Sequence, residues 1–298
     1  MHLSATNGIA TDLIRSDPIQ FSPVQFPALT DRICTSRLAN IAMTFYNITM
    51  TFELVLLRHG ESTWNAKNLF TGWTDVDLSE KGREEAAAAG MVMMDNRIEP
   101  MMLHTSVLTR SVKTANIALE AMDRCWIPVR RHWRLNERHY GDLQGKNKHE
   151  STDIYGAEQV KTWRRGYSTP PPPVAPDDPR HPANDPRYHH VPTSALPATE
   201  CLADVVSRML PYFYDTIVAD LYLYRSVLVV AHGNSLRALV KHLENISDRD
   251  IEGLDIPTGV PRRYILEENL EIKEVGYLGD PKRIEEATRA VAAQTTVG

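Results

Sequence analysis

Runs of apolar residues bounded by polar loops predict the strands of this chain. Residues 54–57 and residues 226–231 carry the strongest apolar stretches, as is typical of strands that are buried on both faces of a sheet. Residues 101–105 and 127–131 are weaker stretches that allow two further strands. The strand signals are therefore spread along the chain rather than collected in one part of it.

Helical signals fill the segments between these strands. Ser79 has the side chain of an N-cap, and acidic residues after it favour the first turns of an Ala-rich helix that reaches about residue 94. Strand and helix signals therefore alternate, which predicts an α/β fold with a mostly parallel sheet flanked by helices. Further helices are expected over residues 107–122, 202–218, 235–243 and 285–294.

Residues 1–49 lack the periodicity of the rest. They mix Gly, Pro, Ser and Thr with scattered apolar residues, and they contain no apolar core of the kind that directs secretion. Their arginines would suit an organellar transit peptide, but an equal number of aspartates offsets that charge. Met50 stands directly before the first strand. We therefore expect residues 1–49 to be a disordered extension or a mis-assigned start, and residues 50–298 to form the folded domain.

Two histidines occupy matching places in the predicted fold. His59 follows the first strand within Arg58-His59-Gly60, and His232 follows the last within Ala231-His232-Gly233. Because ligands of open α/β sheets bind outside the carboxyl ends of the strands, the two imidazoles are expected to meet in one pocket. For either histidine alone, a satisfied loop residue is the more ordinary interpretation. Their matching positions favour a functional site.

Bulk composition narrows the classes of ligand. The net charge of the 298-residue chain is −5, so no overall cationic field supports nucleic-acid or acidic-membrane binding. The three cysteines form no Cys-X-X-Cys pair, which argues against a disulfide framework and a cysteine-based zinc site. No apolar run reaches the length of a membrane-spanning helix.

Basic residues nonetheless cluster near the predicted strand ends. Arg58 precedes the first histidine, Arg110 follows the second strand, and Arg164-Arg165 stand together further on. Guanidinium groups hold phosphate oxygens in a bidentate manner and keep their charge at physiological pH. These clusters favour an anionic ligand, although a solvated helix face explains a pair such as Arg164-Arg165 equally well.

Short motifs connect these residues to a known family. The stretch Arg58-His59-Gly60-Glu61-Ser62-Thr63-Trp64-Asn65 resembles the signature of the histidine phosphatase superfamily. Residues 135–141, 232–237 and 256–261 resemble its phosphoglycerate mutase branch in particular. The resemblance runs from about residue 52 to the C-terminus. It implies a three-layer α/β/α fold whose mostly parallel sheet has one antiparallel edge strand.

The resemblance also implies roles for single residues. His59 would be the nucleophile, Glu137 the acid–base residue, and His232 a stabiliser of the transferring phosphoryl group. The implied phosphate- and substrate-binding residues are Arg58, Gly60, Glu61, Ser62, Asn65, Thr71, Gly72, Arg110, Arg138, His139, Tyr140, Lys148, Arg164, Arg165, Gly233 and Asn234.

The activity implied by the family is the interconversion of 3-phosphoglycerate and 2-phosphoglycerate, a step of glycolysis and gluconeogenesis. A phosphohistidine and a 2,3-bisphosphoglycerate intermediate would carry the phosphoryl group, 2,3-bisphosphoglycerate would prime the enzyme, and no metal would be required. A homodimer is expected, with a tetramer as the alternative, and so is a cytoplasmic location without nucleic-acid or membrane partners.

Three other functions stay open at this point. A phosphatase would use the same residues and release the phosphoryl group to water, and a bisphosphoglycerate synthase would differ in a few pocket positions. An inactive, binding-only relative is disfavoured because His59, Glu137 and His232 are all retained.

Residues 146–199 form a long proline-rich stretch that admits two interpretations. A disordered linker is the ordinary interpretation of such a composition, but Trp163 and Tyr188 are anchors that a linker does not need. We expect a lid that keeps water away from the phosphohistidine. Further on, Arg262-Arg263 replace the apolar residues of relatives, which predicts disturbed packing of the local strand.

Overall fold

A mixed sheet lies at the centre of the part of the chain that the structure describes. The structure, a computed structural model, describes residues 50–293. The predicted extension over residues 1–49 lies outside the described residues, so its nature stays a prediction. In chain order the strands are β1 (Phe52–Arg58), β2 (Met102–Thr105), β3 (Val129–Arg131), β4 (Ser226–Ala231), β5 (Pro261–Leu266) and β6 (Ile272–Tyr277). The strand order in the sheet is β3-β2-β4-β1-β5-β6.

Helices connect most of these strands. In chain order they are α1 (Thr63–Ala66), α2 (Glu80–Asp95), α3 (Thr109–Ala121), α4 (Lys148–Tyr155), α5 (Ala157–Arg165), α6 (Leu202–Tyr212), α7 (Ala219–Tyr224), α8 (Gly233–Leu243) and α9 (Pro281–Ala293). A π-helical segment, Phe213–Val218, joins α6 to α7. Ser79 caps α2 as predicted, because its hydroxyl accepts a hydrogen bond from the Gly82 N–H at 3.1 Å. The predicted elements are therefore present, with ends shifted by a few residues.

Successive residues of β1 point to opposite faces of the sheet and bury two separate cores. Leu54 and Leu56 pack in a cluster with side chains of α6, α7 and α8. Val55 and Leu57 pack with side chains of α2 and α3. Each fully buried aliphatic side chain contributes about 1.5–3 kcal/mol relative to an exposed one. The predicted three-layer α/β/α architecture is confirmed.

The antiparallel side of the sheet contains two strands, of which the edge strand β6 pairs antiparallel with its neighbour as expected. Strands β1, β2, β3 and β4 run parallel, and β5 is antiparallel to β1. However, β5 is not the edge strand, because β6 folds back along it as a hairpin partner. The residues of β6 are largely exposed and mix charged with apolar side chains. They lack the alternating apolar face that would have predicted a strand.

The pair Arg262-Arg263 does not disturb β5, contrary to the prediction. The strand pairs residue by residue with β1 across this position. Arg262 forms an ion pair with Glu244 at 2.7 Å, and Arg263 forms one with Glu53 at 2.8 Å. Carboxylates on neighbouring elements therefore take the place of the apolar contacts that were expected.

The proline-rich stretch is packed against the domain rather than extended away from it. It begins with α4 and α5, which sequence reasoning did not predict, and continues through short 3₁₀ turns. Tyr188 is buried in a cluster with Trp73 and Trp133, and its hydroxyl accepts a hydrogen bond from Asn136 Nδ2 at 2.9 Å. Trp163 packs on a second cluster. The aromatic residues thus act as the anchors that their presence suggested.

Candidate active site

The two predicted histidines meet at the carboxyl end of the central strands. Strands β1 and β4 are parallel neighbours, and Arg58 pairs with Ala231 in their register. The next residue of each strand is a histidine, so His59 and His232 leave the sheet side by side. Their ring centroids lie 4.9 Å apart, and both side chains are buried. The two imidazoles therefore meet as expected, although only His59 lines the adjoining pocket.

The hydrogen bonds of His59 determine which ring nitrogen is reactive. Its Nδ1 lies 2.7 Å from the carbonyl oxygen of Gly60. Because a carbonyl oxygen only accepts, Nδ1 carries the proton and Nε2 keeps its lone pair. Burial, reinforced by Arg110 and Arg58, lowers the pKa of His59 well below its usual value. The imidazole is therefore neutral near pH 7, with a nucleophilic Nε2.

His232 has one satisfied ring nitrogen and one without a partner. Its Nε2 lies 2.7 Å from the hydroxyl of Ser106, whereas Nδ1 is buried and has no hydrogen-bond partner among the described residues. Burial, then Arg110 and His59, lower the pKa of His232 well below its usual value. An unsatisfied buried polar atom marks a place where a ligand atom belongs.

Two arginines beside the histidines are held by carbonyl oxygens. Arg110 donates to the carbonyls of Gly72 at 2.8 Å and Thr74 at 3.1 Å, and its Nε lies 3.4 Å from His59 Nε2. Arg58 donates to the carbonyl of Ile256 at 2.7 Å. Carbonyl partners orient a guanidinium without cancelling its charge. Both arginines therefore present full positive charge close to His59.

Two glycines stand where the backbone borders this pocket, and the first of them cannot be replaced without a clash. Gly72 has a φ of +55°, and a Cβ there would lie 2.1 Å from Gln144 Oε1. Gly233 opens α8, and a Cβ there would lie 3.4 Å from the Arg58 guanidinium carbon. The N-terminus of α8 therefore approaches the pocket closely, and its dipole adds positive potential there.

The carboxyl group of Glu137 is anchored through one oxygen. Its Oε1 accepts hydrogen bonds from the Arg138 N–H at 2.8 Å, the Asn234 N–H at 3.1 Å and Asn234 Nδ2 at 2.9 Å. The backbone carbonyl of Glu137 accepts from Trp73 Nε1 at 2.5 Å and from Arg208 at 2.9 Å. The carboxyl group is thus fixed in direction while it lines the pocket.

Positive charge dominates the pocket as a whole. The lining includes six cationic side chains and only two acidic ones, Glu137 and Asp255, and Asp255 forms an ion pair with Arg165 at 2.7 Å. Burial and the nearby Arg164 lower the pKa of Lys148 to about 7. A protein with a net charge of −5 therefore concentrates cations at one place, which suits a ligand with several negative charges. The six cations are Arg58, Arg110, Lys148, Arg164, Arg165 and Arg237.

Most residues predicted to bind ligand border this pocket. Among the predicted catalytic residues, His59 and Glu137 line it directly, and His232 lies against His59. The other predicted residues that line it are Arg58, Asn65, Thr71, Gly72, Arg110, Tyr140, Lys148, Arg164, Arg165, Gly233 and Asn234.

Five predicted residues, Gly60, Glu61, Ser62, Arg138 and His139, lie outside the lining and support the walls instead. Gly60 packs against the backbone of α2 so closely that a Cβ would lie 2.1 Å from the Gly82 oxygen. The Glu61 carboxylate lies 3.4 Å from Lys81 Nζ, and the Ser62 hydroxyl caps α1. The Arg138 guanidinium lies 4.6 Å from the centre of the Tyr140 ring, and His139 Nδ1 accepts from the Gly141 N–H at 3.1 Å. Ligand contact by these five residues stays a prediction.

Sequence reasoning missed several residues of the site. Arg237 lies three residues after Asn234 on α8, so helical spacing could have indicated it. Ser106 lies directly after β2, where the strand-end argument applies as well. No local signal could have placed Val291 of α9 beside the pocket.

Comparison with known proteins decides the family. Residues 54–269 match the histidine phosphatase superfamily (branch 1). The chain belongs to this superfamily. Solved structures share its fold, among them a mycobacterial glucosyl-3-phosphoglycerate phosphatase with VO₃, which has a TM-score of 0.58 and 24% identity over 76% of this chain and 97% of that one. The α-ribazole phosphatase of Shigella flexneri has a TM-score of 0.56 and 21% identity over 75% of this chain and 95% of that one. At such identities the likeness shows the fold alone.

Closer relatives of this superfamily member share the name 2,3-bisphosphoglycerate-dependent phosphoglycerate mutase. The relative from Thermobifida fusca is 58% identical over 243 residues, which is 81% of this chain and 98% of the relative. The relative from Streptomyces griseus is 56% identical over 82% of this chain and 96% of its own length. The relative from Nitratidesulfovibrio vulgaris is 55% identical over 81% of this chain and 97% of its own length.

The described residues contain neither a candidate metal site nor a candidate membrane-spanning helix. Between residues 50 and 293, no group of three or more His, Cys, Asp or Glu side chains is arranged to hold a metal ion. None of the helices in this range is long and apolar enough to cross a membrane.

Proposed function

We propose that this histidine phosphatase superfamily member is a 2,3-bisphosphoglycerate-dependent phosphoglycerate mutase. It interconverts 3-phosphoglycerate and 2-phosphoglycerate in glycolysis and gluconeogenesis. The observation that carries the proposal is the Nε2 lone pair of His59 facing a pocket with six cationic side chains. The names of relatives that are 55–58% identical support it.

His59 carries the phosphoryl group between the two hydroxyl positions of glycerate. In the first half-reaction, the free hydroxyl of the monophosphate attacks the phosphorus of phospho-His59. The P–Nε2 bond breaks, its electron pair returns to Nε2, and the hydroxyl proton passes to Glu137. In the second, Nε2 attacks the other phosphorus of the bisphosphate, the P–O bond breaks, and Glu137 returns its proton to the departing oxygen.

Charge around His59 stabilises the transferring group. Its three peripheral oxygens carry the negative charge in the transition state, and the protein acts chiefly by positioning and electrostatic stabilisation. Arg58 and Arg110 supply fixed positive charge, and the unpartnered Nδ1 of His232 supplies a hydrogen bond when it carries the proton. For that tautomer, the Ser106 hydroxyl must donate to His232 Nε2, 2.7 Å away.

The remaining cations hold the other charged groups of the substrate. Lys148, Arg164 and Arg165 belong to α4 and α5, whereas Arg237 belongs to α8. A bisphosphate with a carboxylate carries enough negative charge to match all four. The residues therefore fit 2,3-bisphosphoglycerate both as the intermediate and as the primer that first phosphorylates His59.

The proline-rich stretch acts as a lid in this proposal. Its first two helices carry three of the pocket cations, so a bound polyanion draws this stretch towards the sheet. Closure excludes water, which would otherwise hydrolyse the phosphohistidine. We place the enzyme in the cytoplasm as a homodimer on the family resemblance alone.

A coupled assay tests the proposed function. Conversion of 3-phosphoglycerate to 2-phosphoglycerate is measured with and without 2,3-bisphosphoglycerate, in a metal chelator, while free phosphate is followed in parallel. Primer-dependent conversion with little free phosphate, lost in His59→Ala, is the expected result. Phosphate release without isomerisation would show that the protein is a phosphatase and not a mutase.

A further inference from the structure

Arg237 is a buried arginine of the pocket to which the family signature assigns no role. Its Nη1 donates to Asn234 Oδ1 at 2.9 Å, and its Nη2 donates to the carbonyl of Ile251 at 2.5 Å. The side chain is 4% exposed, and its Nε has no hydrogen-bond partner among the described residues. Two of its three nitrogens are thus committed to protein groups, and one of these groups is a residue that holds Glu137.

The bond from Arg237 determines how the Asn234 amide is turned. A guanidinium only donates, so the amide must present its oxygen to Arg237 and its Nδ2 to the opposite side. That side holds two acceptors, Glu137 Oε1 at 2.9 Å and the Tyr140 hydroxyl at 3.1 Å. A flipped amide would place NH₂ against the guanidinium and oxygen against the carboxylate. Arg237 therefore fixes an orientation that Asn234 could not hold alone once Glu137 takes up a proton.

The fixed amide distinguishes the two oxygens of Glu137. Three N–H groups donate to Oε1, two of them from Asn234. Each hydrogen bond donated to a carboxylate oxygen disfavours protonation there, so Oε1 binds a proton less readily than Oε2, and loss of the Asn234 Nδ2 donor would narrow that difference. The exchangeable proton of the catalytic cycle is therefore directed to Oε2. Without Arg237 the amide is free to rotate and present its oxygen, which would accept a hydrogen bond from a protonated Oε1 and so favour an unproductive form of Glu137.

We propose that Arg237 is a positioning residue that acts through Asn234 to keep the catalytic proton of Glu137 on Oε2. This inference rests on the proposed function, since it gives Glu137 the acid–base role of a phosphoryl transfer. It concerns the turnover step rather than substrate affinity. Loss of Arg237 should therefore lower kcat more than it raises KM.

A double-mutant cycle tests the proposal. Arg237→Met keeps the aliphatic stem and removes every donor, and we expect kcat to fall roughly tenfold to a hundredfold, a part of the ~10²–10⁴ that positioned acid–base groups contribute. The KM for 3-phosphoglycerate should stay within about twofold. In an Asn234→Ala background, Arg237→Met should have almost no further effect, because the residue through which it acts is already absent.

Lys241 provides a matched control on the same helix. It lies one turn after Arg237 on α8 and donates to a loop carbonyl, that of Ile246, at 2.6 Å, but it does not line the pocket. Lys241→Met should leave kcat and KM unchanged. Thermal unfolding of all variants shows whether they are folded. If Arg237→Met does not fold, Arg237→Gln, whose shorter neutral side chain ends where the Arg237 guanidinium begins, takes its place in the cycle.

Two results would overturn the inference. One is that the effects of the two substitutions on kcat multiply, so that Arg237→Met lowers kcat by the same factor in the Asn234→Ala background as in the wild type. The other is a rise in KM with kcat unchanged, as expected if Arg237 contacts substrate directly. A wrong assignment of the function gives a different result, because the wild-type protein would then not convert 3-phosphoglycerate at all. In that case the cycle is measured on hydrolysis of glycerol 3-phosphate, where Glu137 must protonate the departing oxygen.

Discussion

Buried histidines lie beside the central strands at two places, one holding His104 and the other His59 and His232, and the two places differ in what surrounds the rings. His104 of β2 lies between the hydroxyl of Tyr212, 2.9 Å from Nδ1, and Asp220, whose Oδ2 is 3.1 Å from Nε2. Arg130 completes this group with a bidentate contact to Asp220 at 2.8 and 3.2 Å. Charge is therefore balanced within the protein, by one carboxylate and one guanidinium.

The pair His59 and His232 is surrounded by unbalanced charge. Arg58 and Arg110 lie beside the two rings. Apart from the contact of Arg110 with His59, they donate to carbonyl oxygens rather than to carboxylates. His232 also keeps a buried Nδ1 without a hydrogen-bond partner in the described part of the chain; His104 Nε2 lacks one as well, but it lies 3.1 Å from the carboxylate of Asp220. Burial alone does not separate the two groups. The difference is that the missing negative charge at His59 and His232 must come from a ligand, whereas His104 needs none.

Removing His59 should have the largest effect of all the substitutions considered. His59→Ala deletes the atom that bears the phosphoryl group, so mutase activity should fall by at least about 10³-fold. The midpoint of urea unfolding should change little, because Arg110 loses only a long hydrogen bond of 3.4 Å to His59 Nε2 and keeps its carbonyl partners Gly72 and Thr74. The matched substitution His104→Ala should leave activity within about twofold. Comparable activity losses in the two variants would contradict the distinction.

Substitution of Arg110 should cause the second-largest loss of activity. Arg110→Met removes charge next to His59 Nε2, and the loss of one such transition-state donor typically costs about 10²–10³ in kcat. Inorganic phosphate and vanadate, which resemble the transferring group, should bind correspondingly more weakly. Steady-state kinetics with vanadate inhibition measures both quantities. An unchanged vanadate affinity would show that Arg110 does not face the phosphoryl position.

Asp220 should affect stability rather than activity. Asp220→Ala leaves His104 and Arg130 without their carboxylate, and removing one partner of a buried ion pair is strongly destabilising. We expect the free energy of unfolding to fall by about 2–3 kcal/mol. This loss is below the usual range for buried ion pairs because Arg130 is half-exposed. Urea unfolding gives the free energy, and the mutase assay serves as the control. A folded variant with a tenfold loss of activity would contradict the assignment of this group to structure alone.

The pH dependence of stability should show the smallest effect. Burial lowers the pKa of His104 to about 4, against the opposing effect of Asp220, whereas an unfolded histidine titrates near 6.5. Between these values the unfolded chain binds a proton that the native His104 does not. Stability therefore falls as the pH drops from about 6.5 to about 4, by up to ~1.4 kcal/mol per unit.

Other buried histidines contribute in the same direction, so the test is a difference between two proteins. The free energy of unfolding of the wild type is measured against pH beside that of His104→Asn. The variant should show a smaller slope across this window. Equal slopes would mean that His104 is already protonated in the folded protein.

Sequence reasoning predicted the elements that carry strong patterns and the residues attached to their ends. The apolar runs of β1 and β4 are unambiguous, and parallel pairing of these strands brings His59 and His232 together. Helices α4 and α5 were missed because their composition is polar and few of their residues are buried. Strand β6 was missed because it is an exposed hairpin partner.

The parts of the site that were not predicted depend on long-range geometry. Asp220 reaches His104 from α7, beyond the π-helical segment that shifts the register of the preceding helix. The bond from Arg237 to Ile251 joins α8 to a loop that has no apolar pattern of its own. Such contacts depend on how elements pack, and no local preference in the sequence determines that.

Detection of the phosphoryl carrier tests the central claim most directly. The protein is incubated with ³²P-labelled 2,3-bisphosphoglycerate, and its peptides are mapped by mass spectrometry at neutral to alkaline pH, where phosphohistidine survives. The account predicts one acid-labile phosphoryl group on His59, discharged by unlabelled 3-phosphoglycerate into bisphosphoglycerate with little free phosphate. No label on His59 in an active enzyme, or label that leaves only as free phosphate, would contradict it.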